Sequence, residues 1–293
     1  MTQPIPASET KHLNQLNHPL IYPFENVIIP LKQISLNKEG KSTGTTGTTL
    51  WLSSQILSLY LCTNVFNSNE KKKGEKKKKK KKKILELGSG IGYSSLNLLS
   101  KGFKLISTDI QPILNDVLKP NLIEGIKILN ENEIKINIEE DLKFIELNWI
   151  KISNLYDNYI FEKNNLNNLI EIENFKKEFE FEYFKEINFI ILSDTFYTIE
   201  LIKPLWKTLI LISIFSSNTS KNKKSNLPII YISLERRDSI LIDKALDEGK
   251  NLGFNLKQIH KLTLKKEIEK YWNNWKDEDW DDIEIWKCRW KGK

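Results

Sequence analysis

The chain has 293 residues, 40% of them apolar, enough for one large core or two small ones. Its net charge of +7 would point to a nucleic acid or an anionic surface, but residues 71–83 alone hold eleven lysines and one glutamate. The remainder is therefore mildly acidic, which excludes a polyanion-binding body and leaves nucleic-acid contact to the lysine tract alone.

Residues 1–40 mix proline, asparagine and apolar positions and predict an extended or β-like arm ahead of a domain spanning residues 41–293. The start, MTQPIPASET, has no apolar segment of the signal-peptide kind, and no apolar run reaches membrane-spanning length. A cytoplasmic chain with no membrane contact is expected, with the nucleus as a second location. The Gly/Thr stretch before Trp51 predicts a loop, and Leu50, Ile56, Leu57, Tyr60 and Leu61 predict the helix that follows it. Residues 67–83, which include the lysine tract, read as a disordered insertion, because a block of like charges repels itself and buries no apolar area.

From there strands and helices alternate, the signature of a parallel sheet covered on both faces. Strands are predicted at 84–87, 104–108, 135–138, 144–149, 188–193, 228–234, 254–260 and 283–290, and helices at 91–100, 112–130, 199–215 and 239–252. Residues 153–185, rich in Asn, Glu and Phe, read as a second insertion. In the last strand Trp286 and Trp290 are placed on one sheet face, after a solvent-facing acidic turn at 277–282. Cys62 and Cys288 are too few for a disulfide framework, and with His12, His18 and His260 scattered no metal site is predicted.

The chemistry is concentrated in ILELGSGIGYSSLNLLSKGFKLISTDI, residues 84–110, which combines a strand, a glycine-rich turn, a helix and a second strand ending in an acid. Gly88, Gly90 and Gly92 allow a tight turn and a close approach to a ligand where a Cβ would intrude. Asp109, 21 residues beyond Gly88, stands where a carboxylate accepts both hydroxyl hydrogens of a ribose, so a nucleoside site is predicted. The spacing is G-x-G-x-G rather than the dinucleotide G-x-G-x-x-G, and Glu86 precedes the first glycine by two residues. An acid there disfavours a pyrophosphate and favours a cationic ligand.

ELGSGIGY with STDI resembles the seven-strand, class I S-adenosylmethionine-dependent methyltransferases. Further motifs make the chain similar to their protein-lysine methyltransferase family, the family-16 type. These are Gly47–Trp51 (GTTLW), KPNLIEG with Asn121, Leu147-Asn148-Trp149 where the family has L-D-W, Asp194-Thr195-Phe196-Tyr197 for D-x-x-Y, and Leu234-Glu235-Arg236-Arg237. The resemblance implies a doubly wound, mostly parallel seven-stranded α/β sheet with the last strand antiparallel. It also implies S-adenosyl-L-methionine as cofactor, held by Trp51, Glu86, Gly88, Gly90, Gly92, Asp109, Asn148 and Trp149. Asn148 keeps a carbonyl acceptor for the adenine amino group but lacks the family's charge.

By the same resemblance Asp194 and Tyr197 are the catalytic candidates, Asp194 orienting an acceptor amine and Tyr197 walling its channel. The acceptor is a lysine on another intracellular protein of the translation-factor, ribosomal-protein or chaperone class, and the enzyme is a monomer. Glu235 and Arg236 are expected to form an ion pair near the substrate mouth. Two alternatives stay open: another acceptor, such as a histidine, a protein N-terminus, a small amine or a nucleic-acid base, or a noncatalytic module binding RNA or protein. Asp194–Tyr197 also resembles the [DN]-P-P-Y loop of base methylases, although Thr195 and Phe196 replace both prolines.

Overall fold

The computed structural model describes residues 3–19, 27–34, 47–66, 80–164, 181–217 and 227–291. Seven strands form one sheet in the order β5-β4-β3-β6-β7-β9-β8: β3 (Lys83–Leu87), β4 (Lys104–Asp109), β5 (Leu142–Glu146), β6 (Phe189–Ser193), β7 (Ile229–Glu235), β8 (Phe254–Gln258) and β9 (Ile283–Trp290). Neighbours are parallel except β9, which runs antiparallel to both β7 and β8. This is the doubly wound, mostly parallel seven-stranded α/β architecture, with an antiparallel last strand, that the resemblance implies.

Each central strand is apolar on both faces because helices cover both. Successive side chains point to opposite sides of the sheet, so Ile84, Phe189, Ile191 and Tyr231 join one core. Leu85, Leu87, Ile190, Leu192, Ile230 and Ile232 join the other. The first core is roofed by α2 (Leu52–Tyr60), α3 (Tyr93–Ser100), α4 (Lys119–Glu131) and α9 (Lys261–Tyr271). The second is roofed by α6 (Trp149–Asn164), α7 (Ile199–Ser217) and α8 (Ser239–Asn251).

Chain order reverses at β3, whose neighbours are β4 on one side and β6 on the other. Ligand crevices in open α/β sheets form at such a switch point, beyond the carboxyl ends of the strands. Leu87, Asp109 and Ser193 mark that edge.

The described part of the stretch before residue 40 is built into the domain rather than standing ahead of it. A short helix α1 (Ala7–Thr10) precedes the antiparallel pair β1 (Gln15–Pro19) and β2 (Ile28–Lys32). Ala7, Leu16, Ile29 and Leu31 are buried in the first core. Irregular backbone there is satisfied by side-chain amides, as burial requires. Gln55 accepts from the Ala7 amide, and Gln33 accepts from the Leu50 amide while donating to the Thr10 and Leu13 carbonyls. Asn121 pairs with both Lys32 backbone groups and donates to the Ile91 carbonyl, which staples β2 to the glycine loop.

Three elements differ from their predicted form. Residues 135–138 are not a strand: Asn137 accepts from the Glu139 amide and caps the one-turn helix α5 (Ile138–Asp141), and the edge strand β5 starts only at Leu142. That strand ends at Glu146 instead of reaching Trp149, because Asn148 starts α6. Residues 261–271 form a helix, α9, that was not predicted; the imidazole of His260 accepts from the Leu262 amide and caps it. Of the two predicted insertions, residues 67–79 and 165–180 lie outside the described residues, residues 153–164 continue α6, and Lys83 opens β3. Trp286 and Trp290 both pack on the second core, as the alternation in β9 predicts.

Candidate active site

At the end of β3 the chain turns through Gly88 (φ +65°) and Gly90 (φ +54°). Glycine is required here twice over: the left-handed backbone penalises any Cβ, and the neighbours are close. A Cβ at Gly90 would lie 3.1 Å from the Gly47 carbonyl, and one at Gly88 would lie 3.3 Å from the Trp149 ring. Gly47 itself has φ +85°, which accounts for the glycine of GTTLW. Gly92 is also left-handed (φ +86°), but a Cβ there would come within 2.8 Å of Leu122 on α4, and Gly92 does not line the cavity.

Asp109 ends β4 with both oxygens placed by backbone donors, Oδ2 accepting from the Gly90 amide at 2.8 Å and Oδ1 from the Ile110 amide at 2.8 Å. It lines the cavity. Burial pushes its carboxyl up to about 6 despite those two bonds. Glu86 is differently placed. It is 2% exposed, accepts from the Ser95 hydroxyl on α3 and does not line the cavity, which places it beneath the floor. Burial pushes it up to about 7, against the pull of the hydroxyls of Ser95, Ser89 and Ser94.

The Glu86 carboxyl thus binds its proton more tightly in the folded protein than in the unfolded chain. Its contribution to stability is full below the unfolded value of about 4.5 and is lost as pH rises towards about 7. Glu86→Gln is expected to make that decline shallower and to raise stability at pH 8 by a few kcal/mol at most, on the order of the shift at 1.4 kcal/mol per unit. At pH 4 the two proteins should melt alike. Scanning calorimetry across pH 4–8 checks this, and an unchanged slope in the variant would remove the assignment.

Trp51 caps the start of α2, Trp149 is the first residue of α6, and both line the cavity. Asn148 also lines it, but its Oδ1 accepts from the Ile150 and Lys151 amides. That oxygen caps α6, the same atom that the resemblance assigns to an adenine amino group.

On the other side of the switch point, Asp194 follows β6 in a left-handed conformation, φ +52°. Its amide donates to the Ser233 carbonyl at 2.9 Å. Its Oδ1 accepts from the Glu235 amide at 3.0 Å and its Oδ2 from Arg237 Nη2 at 2.7 Å. Burial raises the carboxyl, and the neighbouring Arg237 guanidinium opposes that rise. Tyr197 sits on the rim, 46% exposed, and lines the same cavity.

The ion pairs differ from the predicted one. Glu235 faces Arg237 at 3.4 Å, while Arg236 bonds Glu284 at 2.6 Å and Asp243 at 2.8 Å. Arg237 also lies over the Trp51 ring, 4.5 Å from its centroid. It lines the cavity, and the sequence marks it only as part of a motif.

The structure therefore brings Trp51, Gly88, Gly90, Asp109, Asn148, Trp149, Asp194 and Tyr197 to one cavity and leaves Glu86 and Gly92 behind its wall. Its charged lining is two acids, Asp109 and Asp194, and one base, Arg237. Cys62 and Cys288 are buried away from it, with Cys62 pushed up to about 12 by burial, so neither offers a thiolate. Among the described residues no cluster of His, Cys, Asp or Glu fits a metal, and no helix is long and apolar enough to cross a membrane.

No curated protein matches the chain. Among solved structures it is similar to the glycopeptide N-methyltransferase MtfA complexed with sinefungin, at 10% identity over 72% of this chain and 81% of that one with a TM-score of 0.40. It is similar to a human methyltransferase 10 domain containing protein, at 8% identity over 80% of each chain with a TM-score of 0.38. A ribosomal protein L11 methylase from Lactobacillus delbrueckii subsp. bulgaricus matches at 9% identity over 82% of this chain and 78% of that one, with a TM-score of 0.36. Residues 30–163 of the chain match the family model described as lysine methyltransferase.

Proposed function

We propose that the protein is an S-adenosylmethionine-dependent methyltransferase whose acceptor is a lysine side chain on another protein of the cytosol or nucleus. The observation that carries this reading is the convergence of two motifs on one cavity: the glycine turn with Asp109 from β3 and β4, and Asp194 with Tyr197 from the end of β6. The family match supports the first half, since residues 30–163 include Trp51, the glycine turn, Asp109 and Trp149.

The residues fit the cofactor by shape and charge. Gly88 and Gly90 form a floor that any Cβ would narrow, Asp109 offers a carboxylate for ribose hydroxyls, and Trp51 and Trp149 offer apolar walls. S-adenosylmethionine supplies a methyl group on a sulfonium, already a good leaving group.

What remains for the protein is alignment and a neutral nucleophile. A free lysine holds its proton to about pH 10.4, and burial weakens that hold. Asp194 is raised by the same burial, so passing the ammonium proton to its carboxylate costs less than in water. Tyr197 presents a ring at the rim, where a cation on its way in gains roughly 0.5–2 kcal/mol.

The test is labelling. Full-length protein, labelled cofactor and a cell lysate should yield labelled methyl-lysine on a protein band, identified by mass spectrometry. Label on histidine or on a small molecule would overturn the acceptor half. No thermal stabilisation by millimolar S-adenosylhomocysteine would overturn the whole reading.

A further inference from the structure

We infer that Arg237 controls entry of the acceptor: its guanidinium holds Asp194, and an amine reaches that carboxylate only by exchanging with it. The inference rests on the reading of Asp194 as the acid that faces the acceptor.

Both carboxylate oxygens of Asp194 are engaged, Oδ1 by the Glu235 amide and Oδ2 by Arg237, and the side chain is only 6% exposed. Arg237 thus occupies the charged side of a carboxylate that has little other open surface. The two partners are unequally fixed. Asp194 is held through its own amide to Ser233, through Oδ1 to the Glu235 amide, and by a backbone conformation unusual for a residue with a side chain. Arg237 follows the end of β7 with its amide donating to the Glu235 carbonyl at 2.9 Å, but its side chain is 46% exposed and held only at its tip, by Asp194, Glu235 and the face of Trp51.

When the two separate, Arg237 is therefore the one that moves. Glu235, already 3.4 Å from its Nε, keeps the released guanidinium paired. The exchange swaps one cation for another at an almost buried carboxylate, so the site keeps its charge balance and Asp194 is never left unpaired, which would be costly. A neutral or acidic side chain gains nothing by displacing Arg237. The pair thereby selects for a basic acceptor.

The chain has only three arginines, Arg236, Arg237 and Arg289. Arginine Nε–H resonances can thus be followed one by one in 15N-labelled full-length protein saturated with S-adenosylhomocysteine, with Arg237→Gln supplying the assignment. The probe is n-butylammonium, a lysine side chain without its backbone. On titration the Arg237 signal is expected to leave its ring-shifted position over Trp51 and move saturably to that of a solvent-exposed arginine, while the Arg236 and Arg289 signals stay. In Asp194→Asn the Arg237 signal should start at the exposed position and stay there.

Arg237→Gln should bind n-butylammonium by calorimetry roughly two- to fivefold tighter than the wild type, since the competing cation is gone. Saturable binding with an unmoved Arg237 signal would make the guanidinium a fixed wall and overturn the exchange. Weaker binding in Arg237→Gln, or no binding to either protein, would overturn it too. Failure of S-adenosylhomocysteine itself to bind is a separate result and sinks the methyltransferase reading instead.

Discussion

Asp109→Ala is expected to weaken S-adenosylhomocysteine binding by roughly 10²-fold or more, the worth of two charge-assisted hydrogen bonds to ribose hydroxyls. The substitution removes more than those two bonds. The Gly90 and Ile110 amides lose their acceptor, so the glycine turn keeps only the Ser89–Thr108 bonds to hold it against β4. Asp109→Asn separates the two effects, because its carbonyl oxygen keeps one of these bonds while the charge is lost.

Wild-type affinity should also depend on pH. The carboxyl titrates near 6 in the protein without ligand, and ribose hydroxyls favour its ionised form. Affinity is therefore constant well above pH 6 and falls towards tenfold per unit below it, as expected when a ligand selects the deprotonated state. Calorimetric titration from pH 5 to 8 reads both effects. Asp109→Asn binding as tightly as the wild type at pH 8 would show that the ribose is held elsewhere.

The parts of this site legible in the sequence were those fixed by local backbone needs. Gly88 and Gly90 are legible because a tight strand-to-helix turn calls for the positive φ that both adopt, with neighbours 3.1–3.3 Å from any added Cβ, and Asp109 because the end of β4 lies one register step from the turn. Spacing does not show the partners that other elements bring. Glu86 meets Ser95 because α3 folds back over β3. Gly92 meets Leu122 because α4 packs against the turn.

Arg237 finds its partner 43 residues away, across the β6–β7 edge, and the motif that contains it does not say which of its two arginines faces the cavity. The misread elements have local causes of another kind. Asn137 and Asn148 are caps, and asparagine at a cap competes with the apolar alternation that suggested strands around them. The helix α9 buries only Leu264 and Ile268, so its apolar stripe was too thin to register as a helical period.

Asp194→Asn is expected to leave S-adenosylhomocysteine affinity within about twofold while turnover falls by roughly 10²- to 10³-fold, the range for losing a positioned proton acceptor. Asparagine is the informative replacement. It tolerates the left-handed backbone at this position and keeps an oxygen for the Glu235 amide, whereas alanine would add strain at φ +52° and leave that amide unpaired. What asparagine changes is the second atom: an NH2 group faces the Arg237 guanidinium and any acceptor nitrogen, donor against donor, and it cannot take a proton.

Asp109 and Asp194 line one cavity yet stand on opposite sides of β3, on β4 and after β6. Binding and turnover should therefore separate between their variants. Calorimetry with S-adenosylhomocysteine and single-turnover methyl transfer on the two proteins measure that separation. If Asp194→Asn loses cofactor affinity as severely as Asp109→Ala, the carboxylate after β6 belongs to the cofactor rather than to the acceptor. The side of the cavity walled by Tyr197 and Arg237 would then need another partner for the incoming amine.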